Sequence, residues 1–465
     1  MASSRAEGIR SGLLGGEGLI GAAIILVFLY LALTQPILND GDTSWHLATG
    51  KLILATRAVP HVDPFSFTFA GHAWTAHEWL AEVLLAVAFG AGSWAALTAL
   101  FAAIISMTLV LIGRDLLRWL PVRYALLGLV GITGALAPFM LARPHVLTWP
   151  LLVLWTSALI KARADHRAPP LAWAGLMIVW ANLHASYLMG LGIAAAFGLE
   201  ALLQERNRRT VLIGWGAFGL ISTVMAFATP HGIQGFLYPL QVSGMKTLPL
   251  IQEWRASRFP DDLMFFALLA VAAALAILGS RKLGLVRLIL LTGLAFMAVL
   301  HSRHQPLFVM VAALILPRAL EPSRHDSKRT LLWLLPVIAV AALVRSFIPE
   351  QRSDSPTYPA SAIASLPKDL RTRPVLNSYS YGGPLILNGI KPYIDGRADM
   401  YGDAFTADHN AMIMGDGAAL GRAVSKFGIR WTILQRGSPL IGVLDHDPRW
   451  RRIYADRWSV VHVRA

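Results

Sequence analysis

Residues 19–42 read LIGAAIILVFLYLALTQPILNDGD, an apolar run that changes abruptly into a short acidic motif. The run from Leu19 to Thr34 has the composition of a helix that enters a hydrocarbon core of roughly 30 Å. It ends without the small-residue cleavage site of a secretory signal peptide. We therefore predict a retained transmembrane helix, with Asp40 and Asp42 at the point where the chain leaves the membrane.

The composition of the whole chain agrees with this beginning. Of the 465 residues, 55% are apolar and only 15% are charged, whereas a soluble protein carries about a quarter charged residues. The formal net charge of +14 is spread in small clusters between apolar runs, which indicates membrane topology rather than nucleic-acid binding. The absence of cysteine excludes thiolate catalysis, disulfides and cysteine-bound metals.

The apolar blocks and basic clusters together predict about eleven membrane spans. Basic loops mark the cytoplasmic side, so an even number of spans should separate each basic cluster from the next. This places the N-terminus in the cytoplasm and the C-terminus outside. The basic residues that form these clusters are Arg5, Arg10, Arg114, Arg118, Arg123, Lys161, Arg163, Arg167, Arg206, Arg208, Arg209, Arg281, Lys282, Arg287, Arg318, Arg324, Lys328 and Arg329.

One apolar stretch, from Trp79 to Gly113, is too long for a single span. It is interrupted by Gly-Ala-Gly-Ser at residues 90–93. We predict that 79–89 lies on the membrane surface and that about 94–113 crosses. If 79–89 also crossed, the count would be twelve and the basic loops would be inverted.

With this topology, polar motifs from separate loops share the outer face of the membrane. Polar and ionisable groups at membrane depth are costly, so their convergence indicates a shared wet cavity. The alternative is that short connecting loops are simply polar and that His and Arg sit well at a lipid interface. The candidate binding residues in these motifs are Arg143, His145, His184, His231, Glu253, Arg255, Arg303 and His304.

The first outer loop, residues 36–93, opens with Asp40-Gly41-Asp42. In a turn, two such carboxylates can bind one divalent cation, Mg²⁺ or Mn²⁺, or leave one free as a base; an ordinary Asp-Gly turn is the alternative. We expect a surface helix after it, capped by Ser44. The loop's further candidate binding residues are His46, Asp63 and Glu78.

This loop, with the many spans and an outer C-terminal domain, resembles the C-type (GT-C) superfamily of integral-membrane glycosyltransferases. The members of that superfamily are membrane enzymes that use polyprenyl-phosphate sugars. They include the dolichyl-phosphate-mannose protein mannosyltransferases. The segment Asp42-Thr-Ser-Trp-His-Leu, with Val59-Pro60 and Asp63-Pro-Phe-Ser, also resembles a bacterial subgroup of the superfamily. The Trp-Trp-Asp-type motif of the oligosaccharyltransferases is absent from the sequence, so their acceptor rules are not carried over.

The resemblance implies a bacterial inner-membrane enzyme that moves a sugar from a polyprenyl-phosphate donor to an extracytoplasmic glycan, lipid or protein. It implies that Asp42 or Asp40 acts as general base or metal ligand. It also implies that basic groups such as Arg143, Arg255, Arg303 or His304 stabilise the leaving phosphate. Glu253 and Glu78 are second candidates for the acid–base or metal role.

After the membrane domain, residues 1–349, the composition becomes polar, and residues 350–465 predict a small extracytoplasmic α/β domain. Strands are predicted at 374–376, 392–394, 431–434 and 459–463, and helix over most of 403–427. The loop with Arg397 and Tyr401 is a candidate acceptor-binding segment. Its alternative is a structural connection with an internal pair between Arg397 and Asp399.

Two other classes of function fit the same features. A transporter or flippase of lipid-linked sugars would also need a basic outer cavity, although the sequence shows no paired repeat of broken helices. A non-catalytic envelope assembly protein would use the outer domain to recruit partners. Sugar transfer, translocation without bond cleavage, or neither would distinguish the three.

Overall fold

The structure is a computed structural model that describes residues 16–320 and 331–465. The predictions that rest on Arg5, Arg10, Arg324, Lys328 and Arg329 lie outside the described residues. The helices are Gly16–Thr34, Asp42–Thr56, Trp79–Trp119, Val122–Leu136, Pro144–Leu147, Trp149–Ala164, Leu176–Leu183, Tyr187–Gln204, Arg208–Ala226, Gly232–Ser243, Leu263–Leu278, Ser280–Leu283, Leu285–Leu300, Gln305–Ile315, Leu334–Ser346, Ala360–Ser365, Gly382–Leu387, Ala398–Ile413, Gly417–Phe427 and Leu440–His446.

Within the described residues, six helical segments are long and apolar enough to cross a membrane. Shorter apolar helices run at Leu171–Leu183, Leu263–Leu278, Leu285–Leu300 and Leu334–Ser346. The chain is therefore a multi-pass membrane protein, while the count of eleven spans and the orientation stay predictions. The six long segments are Glu17–Thr34, Trp79–Trp119, Val122–Phe139, Pro144–Ala164, Tyr187–Gln204 and Arg208–Ala226.

The interruption predicted at residues 90–93 is confirmed. The helix Trp79–Trp119 contains two residues with non-helical backbone angles, Gly92 and Ser93. A side chain at Gly92 would overlap the carbonyl oxygen of Ser346, so the end of the helix Leu334–Ser346 packs directly against the break. Whether the first half of the broken helix lies on the membrane surface stays a prediction.

Charged residues gather at opposite ends of the helical bundle. At one end Arg318 binds Asp115 at 2.8 Å, and Arg163 binds Glu205 at 2.9 Å. Arg143 lies at the start of the helical segment Pro144–Ala164, and Arg163 lies near its end. At 1.5 Å per helical residue, these two arginines are roughly 30 Å apart. The apolar helices thus separate two polar layers by about the thickness of a hydrocarbon core.

The C-terminal part of the chain contains a four-stranded mixed sheet of β1 (Val375–Asn377), β2 (Trp431–Gln435), β3 (Trp450–Ala455) and β4 (Ser459–Arg464). The strand order is β1-β2-β4-β3. β1 pairs parallel to β2, and β4 pairs antiparallel to both β2 and β3. The parallel pair requires a crossover, which the helices between residues 382 and 427 supply.

Alternate residues of these strands face two apolar clusters, as a pleated sheet requires. Trp431 and Ile433 pack on one side with Val375, whereas Leu434 packs on the other side with Leu376. Three of the four predicted strands are confirmed. Residues 392–394 form no strand, and the strand Trp450–Ala455 was not predicted, because only Trp450 along it is fully buried and its sequence lacks an apolar pattern.

The C-terminal part packs tightly on the first outer loop. A side chain at Gly383 would overlap the carbonyl oxygen of Gly41, and one at Gly41 would overlap the carbonyl oxygen of Ser380. Arg352 adds polar contacts, since it donates to the carbonyl oxygens of Leu38 and Asp40 at 2.6 and 2.7 Å. These contacts bring the backbone of the C-terminal part into direct contact with the Asp-Gly-Asp turn.

Arg352 also explains why the predicted cap is wrong. The helix Asp42–Thr56 begins two residues before Ser44, with Asp42 in its first turn, where a carboxylate interacts favourably with the helix dipole. Ser44 is buried inside the helix, and its Oγ accepts a hydrogen bond from Arg352 at 3.0 Å. The hydroxyl group that was expected to cap the helix is therefore hydrogen-bonded to Arg352, more than 300 residues away in the sequence.

We expect the substitution Gly383→Ala to destabilise the protein by about 1–3 kcal/mol, because the added methyl group meets backbone that cannot turn away. The thermal unfolding midpoint of the purified full chain measures this. Gly421→Ala is the matched control, since Gly421 is exposed on a helix with open space around it, and alanine favours helix by up to about 1 kcal/mol. Equal midpoints for the two variants would contradict the packing.

Candidate active site

The guanidinium of Arg143 binds three carboxylates that come from two distant parts of the sequence. It donates from Nε to Oδ2 of Asp40 at 2.5 Å and from Nη2 to Oδ1 of Asp40 at 3.0 Å. Further hydrogen bonds run from Nη2 to Asp42 and from Nη1 to Glu253. Bidentate and charge-assisted bonds of this kind are the strongest that side chains make, so Arg143 fixes the positions of all three acids.

Local sequence places each member of this acidic cluster, which we define as Asp40, Asp42, Arg143 and Glu253. Arg143 has an extended backbone, as expected for a residue that precedes proline, and it therefore projects from the start of a helix. Glu253 lies in a helical turn at residues 252–254. That turn is held from the next loop, since Ser302 Oγ donates to the carbonyl oxygen of Glu253 at 3.1 Å.

The two aspartates of the cluster have different electrostatic environments. Burial alone would raise the pKa of Asp40, but its two bonds to Arg143 outweigh burial, so that its pKa lies below the usual value. Burial raises the pKa of Asp42 to about 7; Arg143 opposes the rise, while the negative charges of Asp40 and Glu253 add to it. Asp42 is therefore the carboxylate that can exchange a proton near neutral pH.

Arg303 lies at the edge of the acidic cluster. Its Nη1 is 3.6 Å from Oε1 of Glu253, and its guanidinium stacks over Trp254, 4.1 Å from the ring centre. Burial would raise the pKa of Glu253, but the charges of Arg143 and Arg303 outweigh it and lower that pKa. The Arg303 side chain is 27% exposed, so its remaining N–H groups can reach a ligand.

A second group surrounds Glu78 with histidines. His184 Nε2 and His77 Nε2 lie 3.6 and 3.7 Å from Glu78 Oε1, and His46 Nε2 lies 3.8 Å from Oε2. The other ring nitrogen of His46 lies 3.4 Å from Glu82. Burial raises the pKa of Glu78 to about 8, so the carboxyl group of Glu78 keeps its proton at neutral pH.

The histidines around Glu78 are neutral. Burial lowers the pKa of His77 to about 4 and that of His184 well below its usual value. The backbone N–H of Ser186 donates to Nδ1 of His184 at 3.1 Å, so the proton of neutral His184 is on Nε2, towards Glu78. His145 lies beside this group, with its ring centre 6.0 Å from that of His184.

Asp63, Arg397 and Tyr401 form a third group, in which every charged side chain is paired. Arg397 is 1% exposed; it donates to Asp63 at 2.8 Å and to Asp395 at 2.6 and 2.7 Å. Tyr401 donates to the same Asp395 at 2.8 Å. The expected pair between Arg397 and Asp399 is wrong, and this group joins the first loop to the C-terminal part.

Three further candidates lie outside these groups. Arg255 pairs with Asp262 at 2.7 and 3.0 Å. The ring of His231 stacks edge-on against His61, with ring centres 5.0 Å apart. His304 packs against Trp254 and His301. In the described residues these side chains contact neither the acidic cluster nor Glu78, so their binding roles stay predictions.

Several residues near Asp42 were not predicted. A side chain at Gly396 would overlap Oδ1 of Asp42 and approach Nε1 of Trp45, so the C-terminal part forms a wall of the site. Nε1 of Trp45 is buried beside this contact. The loop with Arg397 and Tyr401 was a predicted acceptor-binding segment, but the close approach of Gly396 to Asp42, which comes from a distant part of the chain, leaves no local signal.

The sequence leads us to expect a divalent cation at the acidic cluster. Carboxylate oxygens are the donors that Mg²⁺ and Mn²⁺ prefer, and three carboxylates are present. However, the guanidinium of Arg143 occupies the space between them. Among residues 16–320 and 331–465, no three metal-ligating side chains are arranged to hold an ion. The arrangement fits a guanidinium, and the divalent cation stays a prediction.

The fold resembles that of an archaeal oligosaccharyltransferase, AglB from Archaeoglobus fulgidus. The match to its complex with an inhibitory peptide and a dolichol-phosphate has a TM-score of 0.57 at 10% identity, over 90% of this chain and 69% of that one. The apo form of the Archaeoglobus fulgidus oligosaccharyltransferase gives 0.55 at 10% identity, over 90% and 69%. The form tethered to an acceptor peptide with an NVT sequon gives 0.56 at 11% identity, over 91% and 70%.

No family model and no curated protein matches the sequence. The structural likeness confirms the C-type glycosyltransferase resemblance at the level of the fold. It extends beyond the membrane helices, because nine-tenths of the chain is aligned.

We expect Arg143→Met to destabilise the protein by about 3–5 kcal/mol, because three partly buried carboxylates lose their shared cation. Thermal unfolding of the purified chain measures the loss. Arg422→Met is the matched control, since Arg422 forms an exposed pair with Asp408, which is worth less than about 1 kcal/mol. A loss no larger in Arg143→Met than in the control would show that the cluster contributes little to the fold.

Proposed function

We propose that the protein is a membrane glycosyltransferase that moves a sugar from a polyprenyl-phosphate donor to a hydroxyl-bearing acceptor. The observation that carries this proposal is the acidic cluster. Two aspartates with different pKa values lie beside a partly exposed arginine, at one end of a bundle with the fold of an oligosaccharyltransferase. The cluster supplies a base, and Arg303 at its edge supplies a phosphate-binding cation at the same polar layer.

Asp42 is the general base in this proposal. Its ionised carboxylate takes the proton of the acceptor hydroxyl as the acceptor oxygen attacks the anomeric carbon of the sugar. The bond between that carbon and the phosphate oxygen breaks, and its electron pair stays on the phosphate. The products are the glycosylated acceptor and the polyprenyl phosphate, with the proton on Asp42.

Asp40 and Arg143 position the base. Asp40 accepts two hydrogen bonds from Arg143 and stays ionised, since its pKa is lowered. The same guanidinium binds Asp42. An arginine already shared by three carboxylates has little capacity left for a substrate, so we assign Arg143 to the base and not to the leaving group.

Arg303 is the best placed cation for the leaving phosphate. It is 27% exposed and only loosely paired with Glu253, at 3.6 Å, and stacking on Trp254 holds its guanidinium in place. A fixed cation stabilises the charge that develops on the phosphate oxygen without the cost of reorganising water. His184, whose Nε2 carries a proton, and His77 lie in the neighbouring Glu78 group and are available for sugar hydroxyls.

The similar structures support a lipid-phosphate donor, since one of them contains a dolichol-phosphate. Another contains a tethered acceptor peptide. The absence of a Trp-Trp-Asp-type motif in this chain argues against transferring that acceptor, and the proposal includes glycan, lipid and protein hydroxyls. The cell membrane in which the reaction takes place, predicted to be the bacterial inner membrane, is part of the same proposal.

Replacing Asp42 with Asn should reduce sugar transfer by at least about a hundredfold, the lower end of general-base contributions. The assay uses purified protein, radiolabelled undecaprenyl-phosphate sugars and a panel of hydroxyl acceptors. Asp408→Asn, which changes an exposed aspartate in the C-terminal part, should retain full activity. Full activity of Asp42→Asn would remove Asp42 as the base, and translocation of the donor across vesicles without bond cleavage would favour a transporter.

The pH profile of transfer should rise through about pH 7, because Asp42 must be ionised to accept a proton and its pKa is about 7. The variant Glu253→Gln removes a negative charge that raises this pKa, so its rising limb should move to lower pH. Turnover measured under saturating donor across the pH range gives the midpoint. A limb that stays in place, or moves to higher pH, would contradict the assignment.

A further inference from the structure

A cavity of about 430 Å³ lies apart from the acidic cluster, between the break in the helix Trp79–Trp119 and the beginning of the C-terminal part. Its lining includes Ser93, Trp94, Glu350, Arg352, Tyr358 and Arg371. The volume is within the range of small-ligand sites. The mixture of two arginines, two aromatic rings and a carboxylate is unusual for a simple packing defect.

The two arginines of this cavity make no ion pair at contact distance in the described residues, although the charge of the Asp40 carboxylate acts on Arg352 from further away. Arg352 donates only to the neutral oxygens of Ser44, Leu38 and Asp40, and Arg371 donates to the carbonyl oxygen of Ile363 at 2.8 Å. Neither lies within ion-pair distance of a carboxylate in the part of the chain that the structure describes. Buried charges are normally paired, so a cavity beside an 8% exposed arginine that no carboxylate contacts directly favours an anion.

Arg352 is held rigidly at the cavity wall. Its guanidinium lies 4.1 Å from the ring centre of Tyr358 and 5.0 Å from that of Trp94. Burial lowers the pKa of Arg352 to about 10, which still leaves the group charged at neutral pH. A cation fixed by aromatic stacking and three hydrogen bonds presents a preorganised charge to a ligand.

The remaining polar groups of the cavity fit a hydroxyl-bearing ligand. Glu350 gives one carboxylate oxygen to Arg345, and its other oxygen, Oε1, is buried without a hydrogen-bond partner among the described residues. Ser93 is exposed and has φ 55° and ψ −144°, a conformation costly for any residue except glycine. An acceptor at Glu350 and a hydroxyl at Ser93 could both bind hydroxyl groups of a ligand.

The position of the cavity suits a headgroup. It lies where the helix Leu334–Ser346 ends and where the helix Trp79–Trp119 breaks, and Trp94 is in its wall. Tryptophan is enriched at the level of lipid headgroups, where the hydrocarbon core ends. An arginine held at this depth can bind a lipid phosphate through charge-assisted hydrogen bonds.

We propose that this cavity binds a phosphate group carried by a hydroxyl-bearing headgroup, with Arg371 and Arg352 facing the phosphate and Glu350 and Ser93 facing the hydroxyl groups. The site is separate from Asp42 and does not depend on the proposed sugar transfer. Arg352 bonds the carbonyl oxygens of Leu38 and Asp40, so an occupied site would also steady the segment that carries the acidic cluster.

The test compares the full chain with the variant Arg371→Gln, which removes a charge from a partly exposed position. The variants are placed in nanodiscs of phosphatidylcholine with phosphatidylglycerol, and native mass spectrometry measures the phosphatidylglycerol that stays bound after release into detergent. In parallel, thermal unfolding is followed as glycerol 3-phosphate is added. We expect binding at least about tenfold weaker in Arg371→Gln, because the phosphate loses a charge-assisted hydrogen bond.

Arg373→Gln is the matched control, because Arg373 lies two residues away on the surface and pairs with Asp369 at 3.6 Å. Ser93→Gly is a second variant. Glycine adopts the backbone conformation of Ser93 without strain, so the variant should fold. The loss of the hydroxyl group should weaken binding a few-fold. Retention of phosphatidylglycerol by the control but not by Arg371→Gln supports a lipid ligand. A response to glycerol 3-phosphate alone supports a soluble one. Equal binding by Arg371→Gln and wild type, or no binding by either, overturns the proposal.

Discussion

The attachment of three carboxylates to the guanidinium of Arg143 constrains the site more than any other interaction. Asp40 and Asp42 follow the first apolar helix, Arg143 precedes another, and Glu253 lies in a turn between two later helices. Moving any one of these segments would leave a carboxylate or a guanidinium partly buried and unpaired, which is costly. The cluster therefore fixes how the ends of these helices are arranged at one polar layer.

A second constraint is the contact between backbones across the site. Gly41, Gly383 and Gly396 lie where the C-terminal part meets the first outer loop, and a side chain at each would overlap backbone or Asp42 itself. The buried group of Asp63, Asp395 and Arg397 joins the same two parts of the chain. The C-terminal part is thus a wall of the site.

The sequence predicted the features that depend on local pattern. Apolar blocks predicted the membrane bundle, the small residues at 90–93 predicted the helix break, and alternating apolar residues predicted three strands. The members of the acidic cluster were all candidates because each follows or precedes an apolar helix. Their pairing was not predictable: Asp40 and Arg143 are about a hundred residues apart, and only the packed bundle shows that Arg143, and not Arg255, meets the aspartates.

Long-range partners also account for the wrong predictions. Ser44 has the sequence context of a helix cap, yet Arg352 takes its hydroxyl group. Arg397 lies two residues from both Asp395 and Asp399, and local spacing cannot choose between them; Asp63, from the first loop, stabilises the geometry in which Arg397 faces Asp395. In each case the decisive contact joins the first loop to the C-terminal part.

The different behaviour of Asp40 and Asp42 follows from this geometry, since the two side chains are chemically identical and only two residues apart. Asp40 accepts from two nitrogens of Arg143, so the guanidinium outweighs the effect of burial on its pKa. Asp42 accepts from one of those nitrogens and faces the backbone at Gly396, with Asp40 and Glu253 as like charges nearby. A single cation shared unequally among three acids therefore keeps one carboxylate ionised as a support and leaves another able to take up a proton.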